Sequence, residues 1–357
     1  MALTNAHNAH NAHAASGGPD GDGALLAQAL IIAREGIADA ADPVAAPPAR
    51  HILAPSARLA RIEPEFAHAI LLYEMLESLG VTPEPGPDPV ARVDVLARLP
   101  DGPRLLLSVG LPSDADFAAE LGLMMGYAEL RAERLAEIEV QTRDILTFFV
   151  SILPVKPGRA RSLHRLLALA MDLSTFVVQR LKIAFAAPRA EMLSDQIQPM
   201  IATPLHGSYP SGHATQAFAV AMLLTILTRA DRSAPAAIRP ESQLLRMAAR
   251  VAANRTVAGV HFPVDSAAGA MLGITLARWI AARAGAAGQD CPMLDFDGGR
   301  WGLGAAGGSR DFHLSRLCAV FAGDPCLDIG AAVAAPVSDL LAAAWAEAQG
   351  EWEARWS

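Results

Sequence analysis

The alternation of hydrophobic and polar positions along the chain predicts a protein built mainly from helices. Long segments rich in alanine and leucine carry their apolar residues at helical spacing, and no strand-rich region is visible in the sequence. The spacing predicts helices over residues 24–41, 64–79, 113–153, 161–189, 213–229, 240–253, 263–284 and 332–356. One short strand pair, 93–96 with 105–109, is predicted in a loop-rich segment. We therefore expect an all-α fold in which the helices form a bundle.

Proline-rich breaks and the positions of the chemically suggestive residues divide the chain into three predicted regions. Residues 1–23 contain three tandem Asn-Ala-His units, which predict a disordered tail, with a small metal-binding tract as the alternative. Residues 24–150 are predicted to form a mainly helical region that packs on the core, within one chain or across a homodimer. Residues 151–357 are predicted to form the catalytic helical bundle.

The composition narrows the class of protein. Hydrophobic residues make up 52% of the 357 residues, and the mean hydropathy is +0.27. The uncharged apolar stretches 214–228 and 266–277 are shorter than the roughly 18–20 residues that cross a bilayer, so no membrane span is predicted. The net charge of -8 argues against a nucleic-acid partner. The first residues lack the pattern of a secretory signal, which predicts a cytoplasmic protein.

The segment Pro210-Ser211-Gly212-His213 stands directly before an apolar helical run. Ser211 suits the N-cap of that helix, and Gly212 lets a ligand approach the backbone closely. Free amides at a helix N-terminus attract anions, and His213 in the first turn can face such an anion. The segment therefore predicts an anion site, with a capped helix and an incidental histidine as the alternative.

Arg255, His261 and Asp265 form a second group with the spacing R-x5-H-x3-D. The planar guanidinium of Arg255 matches two oxygens of a tetrahedral anion. His261 can act as a nucleophile or as the ligand of a metal oxide, and Asp265 can orient its ring. Alternatively, Asp265 caps a helix that starts near Pro263, and His261 is a loop histidine.

Lys182 and Arg189 stand seven residues apart, which is about two helical turns, so both side chains can point in one direction. Pro188 is expected to end or kink this helix next to Arg189. The two cations can bind an anion together, although charges on a solvated helix face are the ordinary explanation for such a pair.

In this order, K-x6-R, PSGH and R-x5-H-x3-D resemble the three-part signature of the superfamily of type 2 phosphatidic acid phosphatases and vanadium-dependent haloperoxidases. The resemblance implies a helical bundle of this type, with a pocket for phosphate or vanadate. It implies that the oxygens of the anion are bound by Lys182, Arg189, Ser211, Gly212 and Arg255. Ala190 departs from the pattern, because the family usually has proline after the arginine of the first motif.

The resemblance also implies the roles of the remaining motif residues. His261 would be the nucleophile that becomes phosphorylated, or the axial ligand of vanadium in a haloperoxidase. His213 would be the general acid and base, and Asp265 would support His261. A helical scaffold with a relict anion site is a third interpretation, which the intact set of motif residues disfavours.

Two enzymatic functions follow from the resemblance. The first is a phosphoester hydrolase that needs no cofactor and acts on a small-molecule phosphoester. The alternative is a haloperoxidase that holds vanadate as its cofactor and oxidises halide with hydrogen peroxide. His206 bears on this choice, because algal bromoperoxidases look similar in carrying a second histidine seven residues before His213, where it would shape the halide site. A polar residue at the pocket rim is an equally good interpretation of His206, and we favour the phosphatase.

Overall fold

The computed structural model of the protein describes residues 22–37, 52–229, 237–286, 288–289, 291–303 and 308–356. The chain divides into two compact units, Met1–Ala69 and Ile70–Ser357. The second unit contains every candidate site residue and extends across the predicted boundary at residue 150. The predicted division at that residue stays a prediction. The predicted tail lies, up to residue 21, outside the described residues.

The described part of the first unit is helical. It contains α1 (Asp22–Ile37) and α2 (Pro55–Leu59), and α3 (Pro64–Glu77) begins at its end. The helices predicted for 24–41 and 64–79 are therefore confirmed over the described residues; residues 38–41 lie outside these, and α3 ends two residues earlier than predicted.

The second unit contains most of the helices. They are α4 (Asp114–Ala128), α5 (Arg131–Gln141), α6 (Leu146–Val150), α7 (Arg161–Phe185), α8 (Ala190–Leu193), α9 (Gly212–Thr228), α10 (Gln243–Val257), α11 (Pro263–Arg283), α12 (Leu314–Phe321) and α13 (Asp339–Glu353). The single helix predicted for 113–153 is in fact α4, α5 and α6. Within the described ranges, no helix combines the length and the apolar character of a membrane span, as predicted.

The second unit also contains a five-stranded mixed sheet, so the predicted all-α fold class is wrong and the fold is mixed α/β. The strands lie in the order β1 (Leu79–Thr82), β2 (Arg92–Leu99), β3 (Gly102–Gly110), β4 (Cys291–Asp297) and β5 (Leu327–Val333). Strands β3 and β4 are parallel, and the other neighbours are antiparallel.

The local pattern predicts only part of this sheet. The strand pair 93–96 with 105–109 is confirmed and extends into the longer hairpin of β2 and β3. Strands β4 and β5 are seven residues each, and β4 joins the sheet beside β3, which lies far earlier in the chain. Local periodicity does not indicate such a distant partner. Residues 332–333, which the spacing predicts as the start of the last helix, belong to β5 instead.

The crossing of α9 and α11 forms the centre of the second unit, and both helices are buried along most of their length. Two glycines of α11 permit a close approach. A Cβ on Gly273 would lie 2.3 Å from the backbone oxygen of Thr215, and one on Gly269 would lie 2.6 Å from that of Ser211. This crossing holds the first turn of α9, with the PSGH segment, against the first turn of α11, with Asp265.

Candidate active site

The helix ends of the second unit bring the three sequence motifs together. Lys182 lies in the last turn of α7, and Arg189 lies at the start of α8. His213 lies in the first turn of α9, and Arg255 lies in the last turn of α10. His261 and Asp265 lie at the start of α11. Ala190 is the first residue of α8, a position that proline also favours. Alanine and proline are therefore both compatible with the helical backbone at this position, where the chain departs from the family pattern.

Four buried aromatic rings hold these motif segments against one another. Phe185 lies at the end of α7, Tyr209 just before α9, Phe262 just before α11, and Phe117 on α4. The ring centre of Phe117 lies 4.9 Å from the ring centre of Phe262 and 6.3 Å from the ring centre of Tyr209. The ring centres of Tyr209 and Phe185 are 5.2 Å apart. Such contacts, together with the large area that the rings bury, fix the backbone beside each motif.

His261 and Asp265 form a buried pair. His261 Nδ1 lies 2.8 Å from Asp265 Oδ2, which also accepts the backbone N–H of Phe262 at 3.0 Å. Asp265 therefore caps α11 and contacts the histidine, so the two interpretations of this residue hold together. Because the carboxylate accepts from Nδ1, the lone pair of the imidazole is left on Nε2.

Arg189 lies against His261 but is held mainly by backbone oxygens. Its Nη1 is 3.5 Å from His261 Nε2 and donates to the oxygen of Val260 at 2.6 Å. Its Nε and Nη2 donate to the oxygen of His206 at 3.1 and 3.0 Å. Arg189 thus places positive charge beside the candidate nucleophile, and an anion would share N–H groups that already have protein acceptors.

Lys182 is also tied to the loop before the PSGH segment. Its Nζ donates to the oxygens of Gly207 and Ser208 at 2.9 and 2.7 Å, and the residue is 1% exposed. An ammonium group has three N–H donors, so one remains for a ligand.

Arg255 gives the clearest sign of an anion site. Its Nη2 donates to the oxygen of Ile138 and to Gln141 Oε1, both at 3.1 Å. Among the described residues, its Nε and Nη1 have no hydrogen-bond partner, although the residue is fully buried. Buried polar groups are nearly always paired, and an unpaired charged donor is costly. Because the Nε–H lies on the Nη2 edge of the guanidinium, these donors do not form one fork, but an anion could accept from either of them.

The PSGH segment starts α9 as predicted. Ser211 Oγ accepts the N–H of Ala214 at 3.4 Å, which makes Ser211 the N-cap. The Ser211 N–H donates to the backbone oxygen of Asp265 at 2.9 Å, so its hydroxyl, rather than its amide, could meet a ligand. Around Gly212, the nearest atom to an added Cβ would be Val178 Cγ1 at 4.0 Å, so the backbone here is open.

His206 lies at the edge of the site. Its Nδ1 is 3.1 Å from Arg189 Nη2 and also 3.1 Å from the oxygen of Gly207. Nδ1 can accept from the arginine or donate to the carbonyl, but not both. The half-buried His206 therefore belongs to the surroundings of Arg189.

Burial and clustered cations lower the pKa values of both motif histidines. Burial lowers the pKa of His261 well below its usual value, and Lys182 and Arg189 lower it further. Burial, followed by the nearby charge of Arg255, lowers the pKa of His213 to about 3. Both rings are therefore neutral near pH 7 in the ligand-free protein, which leaves His261 Nε2 free to attack an electrophile.

Burial lowers the pKa values of the buried cations of the site and raises the pKa of its acid. It lowers the pKa of Lys182 to about 7, with a further decrease from Arg189, and raises the pKa of Asp265 to about 7. Burial also lowers the pKa of Arg255 to about 10, which leaves that guanidinium charged at neutral pH. A bound anion would favour the protonated form of each of these groups.

Two residues outside the motifs make contacts that cannot be deduced from the sequence. Gln141, at the end of α5, contacts both His213 and Arg255. Glu120 on α4 accepts the N–H of Val264 in the first turn of α11 at 3.0 Å. No motif or spacing marks either residue, because their contacts depend on where helix ends meet in space.

Comparison with known proteins agrees with the motif interpretation. A search of curated proteins finds no match to the chain. Residues 163–288, which include all three motifs, match the model of the PAP2 superfamily. The predicted resemblance to the type 2 phosphatidic acid phosphatase superfamily is therefore confirmed for this segment, and it supports a phosphoester hydrolase type of function in general.

Proposed function

We propose that the protein hydrolyses a small phosphoester through a phosphohistidine intermediate on His261. The observation that carries this proposal is the pair of unpartnered N–H groups on buried Arg255, in a site where Asp265 orients a neutral His261. An anion bound by Arg255 and Lys182 would bring its phosphorus towards the Nε2 lone pair. The buried cations would also stabilise the charge that develops on the transferred phosphoryl group.

In the first proposed step, His261 Nε2 forms a bond to phosphorus while the bond from phosphorus to the leaving oxygen breaks. His213 gives its proton to that oxygen, so the alcohol leaves neutral. The low pKa of His213 applies to the ligand-free site, and the negative charge of a bound phosphoester raises it. Asp265 in its ionised form stabilises the positive charge that His261 acquires, and that charge in turn favours the ionised form of Asp265.

In the second proposed step, water attacks the phosphohistidine. The neutral His213 takes a proton from this water as the new P–O bond forms and the P–N bond breaks. His261 returns to its neutral form, and inorganic phosphate is released. His213 then carries the proton taken from water, as it did in the substrate complex, and returns to its neutral form when the negatively charged phosphate leaves.

Vanadate is the alternative occupant of the site. The same unpartnered Arg255 donors and the unprotonated Nε2 of His261, which lies 3.5 Å from Arg189 Nη1, fit this near isostere of phosphate. When bound, vanadate would supply the activation of peroxide that halide oxidation requires. His206 contacts Arg189 and would therefore lie near such a group, and this contact is equally compatible with phosphoester chemistry.

An activity comparison tests the proposal. We expect the purified protein to hydrolyse p-nitrophenyl phosphate, and not to brominate a dye when given vanadate, peroxide and bromide. His261→Ala should abolish hydrolysis, and His213→Ala should slow it by about 10²–10⁴-fold, which is the usual contribution of general acid–base catalysis. The exposed His313, an N-cap residue, offers a control, because His313→Asn retains a capping side chain and should retain activity. Bromination without phosphate release would contradict the proposal.

A further inference from the structure

Gln141 lies outside the three motifs and outside the matched segment 163–288, yet it contacts two candidate site residues. It is the last residue of α5 and is 1% exposed. Its backbone oxygen lies 3.2 Å from His213 Nε2, and its side-chain Oε1 accepts from Arg255 Nη2 at 3.1 Å. We propose that Gln141 is a positioning residue that holds the acid–base histidine and the anion-binding arginine in register. This inference rests on the proposed function.

The end of α5 is suited to this task. The last carbonyl groups of a helix lack partners within the helix. In α5, the oxygen of Ile138 accepts from Arg255 Nη2 at 3.1 Å, and the oxygen of Gln141 lies at hydrogen-bond distance from His213 Nε2. The negative end of the helix dipole therefore faces one side chain that carries positive charge and one that acquires it during the reaction.

The contact with a backbone carbonyl fixes the proton position on His213. A carbonyl oxygen only accepts hydrogen bonds, so Nε2 carries the donated proton and Nδ1 is left to gain and lose the catalytic one. The carbonyl also holds the ring without competing for that catalytic proton, whereas a carboxylate in its place would compete for it. The charged or titratable groups that face His213 are Arg255 on α10, Lys182 on α7 and His261 before α11.

The side chain of Gln141 is locked in one orientation. Its Oε1 accepts from Asn254 Nδ2 at 3.0 Å as well as from Arg255, and its Nε2 donates to Glu137 Oε1 at 3.2 Å. An amide held at both ends cannot turn its donor towards the arginine. Gln141 thus occupies Nη2 of Arg255, while Nε and Nη1 keep no described protein acceptor and remain available to an anion.

Three substitutions test this proposal through the affinity for inorganic phosphate, measured by calorimetry, and through the pH profile of kcat. Gln141→Met removes the acceptor at constant length and should weaken phosphate binding about tenfold, the effect of one hydrogen bond to a charged group. Gln141→Asn withdraws the amide by one methylene and should also weaken phosphate binding. It replaces the methionine variant in this test if that variant folds poorly. Gln141→Glu should move the alkaline limb of the kcat profile to higher pH, because its negative charge offsets the repulsion between Arg255 and His213.

A neighbouring substitution separates positioning from a general loss of structure. The exposed Thr142 donates to the oxygen of Glu139 at the same helix end, and Thr142→Ala should change neither phosphate affinity nor the pH profile. Phosphate affinity within twofold of the wild type in the folded methionine or asparagine variant, with an unshifted profile for Gln141→Glu, would overturn the proposal. Binding is measured without turnover, so a wild type that binds phosphate but hydrolyses no phosphoester would defeat the proposed function while the affinities still decide the role of Gln141.

Discussion

At the scale of single residues, the candidate site is defined by cationic side chains that are buried beside the neutral His261, which is the proposed nucleophile. Arg255 keeps two donors without protein partners in the described chain, and Lys182 keeps one of its three. Arg189 contributes charge more than free donors. A tetrahedral anion would therefore be bound chiefly through Arg255 and Lys182, with Arg189 acting at the reacting nitrogen.

The protonation state of these residues gives a pH dependence with a defined sign. We expect the affinity for tungstate, a tetrahedral dianion, to fall as the pH rises through about 7. Lys182, with its pKa lowered to about 7 by burial, loses its positive charge in this range, and Asp265, with its pKa raised to about 7, gains a negative one. Both changes disfavour an anion. Calorimetry across this range measures the effect.

Lys182→Met is the matched variant for this measurement. It should bind tungstate more weakly than the wild type and with a smaller change across the pH range, because one of the two titrating groups is gone. A wild-type affinity that stays constant between about pH 6 and about pH 8 would contradict the account, since it would place both pKa values outside this range.

The sequence predicts that the motif residues lie together, as they do in the structure, but it does not predict which residues contact them. Lys182, His213 and Arg255 could be found because residue type and spacing carry their chemistry. Gln141 could not, because it holds His213 through a backbone oxygen that every residue possesses. Nor does the sequence indicate that backbone oxygens occupy most of the donors of Arg189.

At the scale of the elements, the crossing of α9 and α11 sets the distance between the two halves of the site. The Ser211 N–H at the start of α9 donates to the oxygen of Asp265, in the first turn of α11. The glycines of α11 allow this approach, because a side chain at either position would meet the backbone of α9. The spacing of His213 from His261 therefore depends on residues that carry no chemistry.

Gly273→Ala should disturb this crossing. Its Cβ would lie 2.3 Å from the oxygen of Thr215, so the helices must move apart, and overpacking of this kind typically costs about 1–3 kcal/mol of unfolding free energy. Urea denaturation measures that loss, and hydrolysis should fall with it because the PSGH segment shifts. Gly122→Ala in α4 is the control, since an added Cβ there meets no described atom within 4 Å and alanine favours the helix. Equal stability of the two variants would show that the crossing tolerates separation.

At the scale of the whole molecule, the functional unit extends beyond the segment that matches the family. Helices α4 and α5, which precede residue 163, supply Phe117, Glu120 and Gln141 to the surroundings of the motifs. The sheet contributes as well, because Tyr209 Oη donates to the oxygen of Gly110 at the end of β3. The sequence predicts the helices that carry the motifs and the hairpin of β2 and β3, but not the rest of this sheet, since β3 and β4 pair across about half of the chain.

The most direct test of the central claim is to trap the covalent intermediate. The enzyme would be mixed with a phosphoester, quenched in alkali to preserve phosphohistidine, digested and analysed by mass spectrometry. We expect one phosphoryl group on the peptide that contains His261, and none on that peptide in the His261→Ala variant. Steady hydrolysis of the phosphoester with no phosphoryl group on His261, or with one on a different residue, would contradict this claim.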